Sequence, residues 1–123
     1  MANLIQELIQ KAAQNPKRVA LPECEAEKTL LAARAVLDSG IGMPVLVNDP
    51  AVIRETAEKA GVSTEGMEIV DITDEAGRAD LAARFPKEEM MLSEKACLRK
   101  MKNPIYYAMM LEKVGDVDCT FCG

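Results

Sequence analysis

Asn103-Pro104-Ile105-Tyr106-Tyr107-Ala108-Met109-Met110, with Gly115-Asp116-Val117-Asp118 shortly after it, is the stretch on which the reading of this chain turns. Asn followed by Pro is a helix start, with a capping side chain and a ring whose missing N–H would have had no partner anyway. The apolar run that follows predicts a helix reaching Gly115, a residue suited to the left-handed turn that ends helices. A closely spaced Asp pair then leads into Cys119-Thr120-Phe121-Cys122, an apolar segment that reads as a strand. A helix feeding directly into a buried strand is the connection of a parallel sheet.

The preceding sequence repeats this alternation. A first helix is expected after Asn3, with Leu4, Ile5, Leu8, Ile9 and Ala12 on one face, ending at Asn15-Pro16. Arg18 to Leu21 reads as a short strand. Pro22-Glu23 opens a helix with Ala26, Leu30, Ala33 and Leu37 at helical spacing, stopped by Gly40. Pro44 to Val47 is a second strand. Asp49-Pro50 starts a helix with Ile53, Ala57 and Ala60 inward, ending at Gly61. Glu68 to Ile72 is a third strand. Asp74 caps a helix reaching Phe85, and Ser93 starts another through Met101. The expected fold is α/β: one parallel-sheet α/β/α layered domain over residues 1–123.

A chain of 123 residues buries roughly two-thirds of its unfolded surface. Hydrophobic residues make up 49% and charged residues 28%, ordinary for a globular domain. Aromatic content is only 3% with no Trp, so aliphatic residues and eight Met must fill the core. The formal charge is -5 with signs mixed along the chain and no basic stripe, which argues against nucleic acid as a partner. The apolar runs are too short to span a bilayer, and the N-terminus lacks the apolar core of a signal peptide. Four Cys without a secretion signal suggest reduced thiols in the cytoplasm. With no His, Ser-His and Cys-His nucleophile pairs and His-containing metal sites are excluded.

Several groups could carry chemistry. Asp116 and Asp118, two apart on a strand, would point the same way and could share a cation or a proton; the blander reading is turn capping. Cys119 and Cys122 have redox-motif spacing, yet lie in a strand instead of at a helix N-terminus, and are expected to be buried structural thiols. The segment Pro22-Glu23-Cys24-Glu25 follows a strand's C-terminal end, where open α/β sheets place ligands, although Glu23, Glu25 and Glu27 oppose a nearby anion. Arg84, Lys87, Lys95, Arg99, Lys100 and Lys102 form the most basic stretch. It could meet the phosphates of an acyl carrier or simply be a solvated face.

Taken in order, these residues resemble the phosphate acetyl/butyryl transferase family. Val19-Ala20-Leu21-Pro22-Glu23 is similar to the family's strand ending in Leu-Pro-Glu-Gly. Gly40-Ile41 and Pro44-Val45-Leu46-Val47 are similar to its second unit. Pro104 to Asp118 is similar to its Pro, paired aromatics, Met-Met and Gly-Asp-x-Asp signature. The resemblance implies a longer enzyme with paired α/β domains around a cleft, of which these residues are the N-terminal part. It implies acetyl exchange between coenzyme A and inorganic phosphate, with CoA as a substrate, no bound cofactor and no metal. A cytoplasmic homo-oligomer is the expected form. Transfer of a longer acyl group such as butyryl, or a non-catalytic α/β interaction module, are the alternatives.

The resemblance also supplies candidate residues. The family's loop Arg falls on Lys87, with Arg84 a turn away, and its second signature Asp is Asp118. Substrate contact is therefore expected at Arg84, Lys87 and Asp118, while no catalytic residue or metal ligand is assigned and the base is expected beyond Gly123. Two family glycines are replaced, by Cys24 and Cys119, which puts side chains where the resemblance implies a close approach of backbone. The 123 residues alone are expected to be an inactive fragment.

Overall fold

The computed structural model describes residues 17–122; the helix expected after Asn3 lies outside them. Strand β1 (Lys17–Leu21) pairs in parallel with β2 (Gly42–Asn48), Val19 opposite Pro44 and Leu21 opposite Leu46. Strand β3 (Glu68–Asp71) continues the sheet beyond β2, with Asn48 opposite Asp71. Strand β4 (Cys119–Thr120) lies on the other side of β1, giving the order β3-β2-β1-β4.

Helices α1 (Glu27–Ser39) and α2 (Pro50–Ala60) cover one face, and α3 (Glu75–Arg84), α4 (Glu94–Lys100) and α5 (Pro104–Val114) the other. The strands show why both faces need cover. Successive side chains point to opposite sides, and apolar residues follow one another without alternation. Leu21 and Leu46 pack with Leu30, Ala33, Ile53 and Ala57 of α1 and α2. Ala20, Val45 and Val47 pack with Leu81, Tyr107, Ala108 and Leu111 beneath α3 and α5.

Capping follows the expected chemistry. Asp49 Oδ1 accepts from Ala51 N–H at 2.9 Å, Asp74 Oδ2 from Gly77 at 3.2 Å and Asn103 Oδ1 from Ile105 at 2.9 Å. Gly115, at φ 89°, turns α5 toward β4, and the next N–H, of Asp116, donates to Leu111 O at 2.9 Å. At Gly77 a β-carbon would lie 3.1 Å from Asp74 Oδ2, so the capping carboxylate packs closely on the first turn of α3.

Strand β2 starts at Gly42, two residues before the expected Pro44, and β3 stops at Asp71, one before Ile72; two further boundaries change how the chain is read. Helix α1 starts at Glu27, not at Pro22-Glu23, because Pro22 to Ala26 form a tight turn closed by Ala26 N–H on Glu23 O at 3.1 Å. Its N-cap, Ala26, has no side chain to bond the first turn. Strand β4 stops at Thr120, and Cys119 and Cys122 are exposed instead of buried. Cys24 and Cys97 are the buried thiols.

Candidate functional site

The chain crosses from β1 to β3 over the face of α1 and α2, then returns over the opposite face to place β4 beside β1. The direction of winding therefore reverses between β1 and β4. A reversal of this kind is where open α/β sheets form a ligand crevice, beyond the C-terminal ends of the two strands. In this chain that position is bordered by Pro22 to Ala26 after β1 and by Thr120, Phe121 and Cys122 at and after the end of β4.

Asn48 fixes the first border. Nearly buried at the end of β2, it donates through Nδ2 to Pro22 O at 2.9 Å and to Glu25 Oε2 at 3.4 Å. Its Oδ1 accepts from Asp49 N–H at 2.7 Å. One side chain thus ties the β1 turn to the start of α2. Sequence reasoning passed over Asn48; the available signal was a polar residue closing an apolar strand directly before Asp49-Pro50. Cys24 lies inside the same turn, fully buried, its thiol donating to Leu21 O at 3.1 Å. Burial, then the Glu25 charge, pushes this thiol up to about 12, so it stays protonated and unreactive. Across the crevice, Phe121 N–H donates to Ala20 O at 2.8 Å, while Thr120 Oγ1 is buried with no hydrogen-bond partner among the described residues.

The residues singled out from sequence lie elsewhere. Helix α3 runs back from the C-terminal end of β3, so Arg84 reaches the opposite end of the strands, near Arg18 and Glu68. Its guanidinium donates to both oxygens of Asp116, at 2.9 and 2.7 Å, and to Asp80 Oδ2 at 3.0 Å. The Asp116 bonds raise the Arg84 pKa, and the same contact holds the Asp116 carboxyl below the usual carboxylate range. Asp118 Oδ2 accepts from Arg18 N–H at 2.8 Å while its own N–H donates to Arg18 O at 2.8 Å. The two aspartates sit in the bend before β4, each with its own partner, and share no cation or proton site. Lys87 Nζ donates to Ala82 O, a carbonyl of the last turn of α3. Arg84, Lys87 and Asp118 are thus each bonded within the fold and are not gathered into one constellation.

Among the described residues no group of three or more His, Cys, Asp or Glu side chains is arranged to hold a metal ion, and no helix is long and apolar enough to cross a membrane.

Comparison with known proteins places this architecture. Residues 3–123 match the family model described as Phosphate acetyl/butaryl transferase. The chain is 31% identical over 119 residues to the phosphate acetyltransferase of Clostridium acetobutylicum and 34% identical over 119 residues to that of Thermoanaerobacterium thermosaccharolyticum. Each alignment covers 94% of this chain and 35% of the relative. The chain therefore spans about a third of the length of the curated relatives it matches. In fold it is similar to the EutD phosphotransacetylase from Staphylococcus aureus, with a TM-score of 0.84 at 24% identity, covering 97% of this chain and 36% of that one. A doubly wound sheet, its signature stretches in order and a match over nearly every residue agree: the chain belongs to the phosphate acetyl/butyryl transferase family.

Proposed function

We propose that this polypeptide takes part in acyl exchange between coenzyme A and inorganic phosphate, acetyl-CoA and phosphate giving CoA and acetyl phosphate. The observation that carries the reading is the family match across residues 3–123. In this exchange a phosphate oxygen adds to the thioester carbonyl, the C–S bond breaks, and CoA leaves as a thiol once it has taken up the proton released from phosphate. Donors that meet the developing oxyanion lower the barrier. CoA is a substrate here and not a resident group.

The contribution we assign to these residues is one wall of the site: the turn Pro22 to Ala26, held by Asn48, beside the end of β4. In this reading Arg84 and Asp118 act by position. Arg84 anchors the bend before β4 to α3, and Asp118 fixes β4 in register with β1. Of the three residues picked from sequence, Lys87, on the α3–α4 connection and away from this wall, is the one whose charge no carboxylate answers within 4.0 Å among the described residues. Among the described residues its Nζ donates to the Ala82 carbonyl, whereas the Arg84 charge is answered by two carboxylates. A Lys at this place offers a point charge, without the two-pronged hydrogen bonding of an Arg. The reading also carries a cytoplasmic homo-oligomer as the working form.

The test is release of free CoA thiol from acetyl-CoA, with and without phosphate, followed with a thiol reagent. In the polypeptide's full natural context the reading expects phosphate-dependent release, faster with acetyl-CoA than with butyryl-CoA. The 123 residues alone are expected to show no sustained turnover. Phosphate-independent hydrolysis, or no release in the full context, overturns the assignment.

A further inference from the structure

The register of β1 with β2 ends at Leu21, opposite Leu46, and Pro22 has no N–H with which to extend it. The carbonyls of Leu21 and Pro22 belong to buried residues, where a polar group without a partner is costly. Two side chains answer them in place of a neighbouring strand. Cys24 Sγ donates to Leu21 O at 3.1 Å. Asn48 Nδ2 donates to Pro22 O at 2.9 Å and to the Glu25 carboxylate at 3.4 Å. The turn Pro22 to Ala26 is thus held from the inside at Pro22, Cys24 and Glu25.

The Cys24 side chain points away from the crevice. It is fully buried among Leu21, Leu30, Leu46 and Ile53, whereas Glu25 is exposed and Glu23 half-buried. The backbone of Val47, the residue before Asn48, also bonds the sulfur. A side chain at position 24 therefore does not stand in the path of a group approaching the crevice. Its place is under the turn, beside Asn48, where both residues tie the end of β1 to the end of β2.

We propose that Cys24 and Asn48 act together as positioning residues, fixing Pro22 to Ala26 in the shape that the crevice presents to its substrates. The inference rests on the acyl-exchange reading for the substrate, and on the hydrogen bonds alone for the turn. A buried cysteine can be mere filler, small and apolar. Filler needs only volume, whereas a pin needs its S–H donor, and the two roles part on substitution.

Cys24→Ser keeps a donor, Cys24→Ala keeps the β-carbon without one, and Cys24→Gly removes both. In the polypeptide's full natural context, hydrogen–deuterium exchange is followed by mass spectrometry on peptides spanning Pro22 to Ala26. Exchange there is expected to quicken about fivefold in Cys24→Ala, the fold-change of one ordinary hydrogen bond, and further in Cys24→Gly. Cys24→Ser should stay near the parent. Phosphate-dependent release of CoA should fall in the same order, through KM more than kcat, and Cys24→Ala joined to Asn48→Ala should cost less than the two effects summed. Cys24→Ser as damaging as Cys24→Ala, quickened exchange spread evenly over the molecule, additive effects, or a raised kcat/KM in Cys24→Gly overturns the proposal. If the parent releases no CoA, it is the acyl-exchange reading that fails, and the exchange of the turn still decides whether the pair holds it.

Discussion

Asn48 concentrates more of the crevice's geometry than any other single side chain. It satisfies the Pro22 carbonyl and the Asp49 amide together, and a buried polar group left without its partner costs its full desolvation. Asn48→Ala is expected to destabilise the fold by about 1–3 kcal/mol, read as a shift in the urea midpoint. An unchanged midpoint would mean that water replaces both bonds at no cost. The cysteines allow a second residue-level prediction. Burial raises the thiols of Cys24, to about 12, of Cys97 and also of Cys119, so what separates them is access: Cys24 and Cys97 are buried and Cys119 and Cys122 exposed. Iodoacetamide at mildly alkaline pH should label Cys119 and Cys122 in the folded chain and reach Cys24 and Cys97 only after denaturation. Mass spectrometry of digested protein settles which thiols reacted. The spacing of Cys119 and Cys122 was plain in the sequence; their exposure was not, because it depends on β4 ending at Thr120 at the border of the sheet.

At the level of elements, the clasp between α3 and the bend before β4 is the junction most sensitive to pH. The Arg84 guanidinium lowers the Asp116 carboxyl below its ordinary value of 3.8. A carboxyl depressed in the folded state stabilises fully above the unfolded pKa, and that stability is lost as pH falls through the lower folded value. Both side chains are partly exposed, so screening holds the contribution to under about 1 kcal/mol. Asp116→Asn should therefore lower stability slightly at neutral pH, and the gap from the parent should close in acid. A gap that stays constant across that range would show that the clasp does not depend on the Asp116 charge. The helix starts at Asp49-Pro50, Asp74, Ser93 and Asn103 were legible because capping is local chemistry between neighbours in sequence. The start of α1 was not, since the turn before it is held by Asn48 from another strand.

For the molecule as a whole, the two helical layers share one sheet, so each should fail with the other. We infer a single cooperative unit. Leu30→Ala, in the layer of α1 and α2, and Leu81→Ala, beneath α3, are each expected to cost about 2–5 kcal/mol with unchanged denaturant slope. Tyr106 and Tyr107, the only tyrosines, report α5 by fluorescence, while circular dichroism reports every helix. Coincident transitions are expected, and separated ones would divide the layers into independent units. The sequence by itself determined the alternation of strands and helices, most of the caps and the family, because these rest on local chemistry and on the order of residues along the chain. Only the tertiary structure decided that Arg84 and Asp118 are bound up at the N-terminal end of the strands, away from the crevice. It also decided that Cys24 is sealed in a turn while Cys119 and Cys122 are exposed. Those outcomes depend on which end of a strand each helix returns to, and on partners far apart in sequence, which no local pattern encodes.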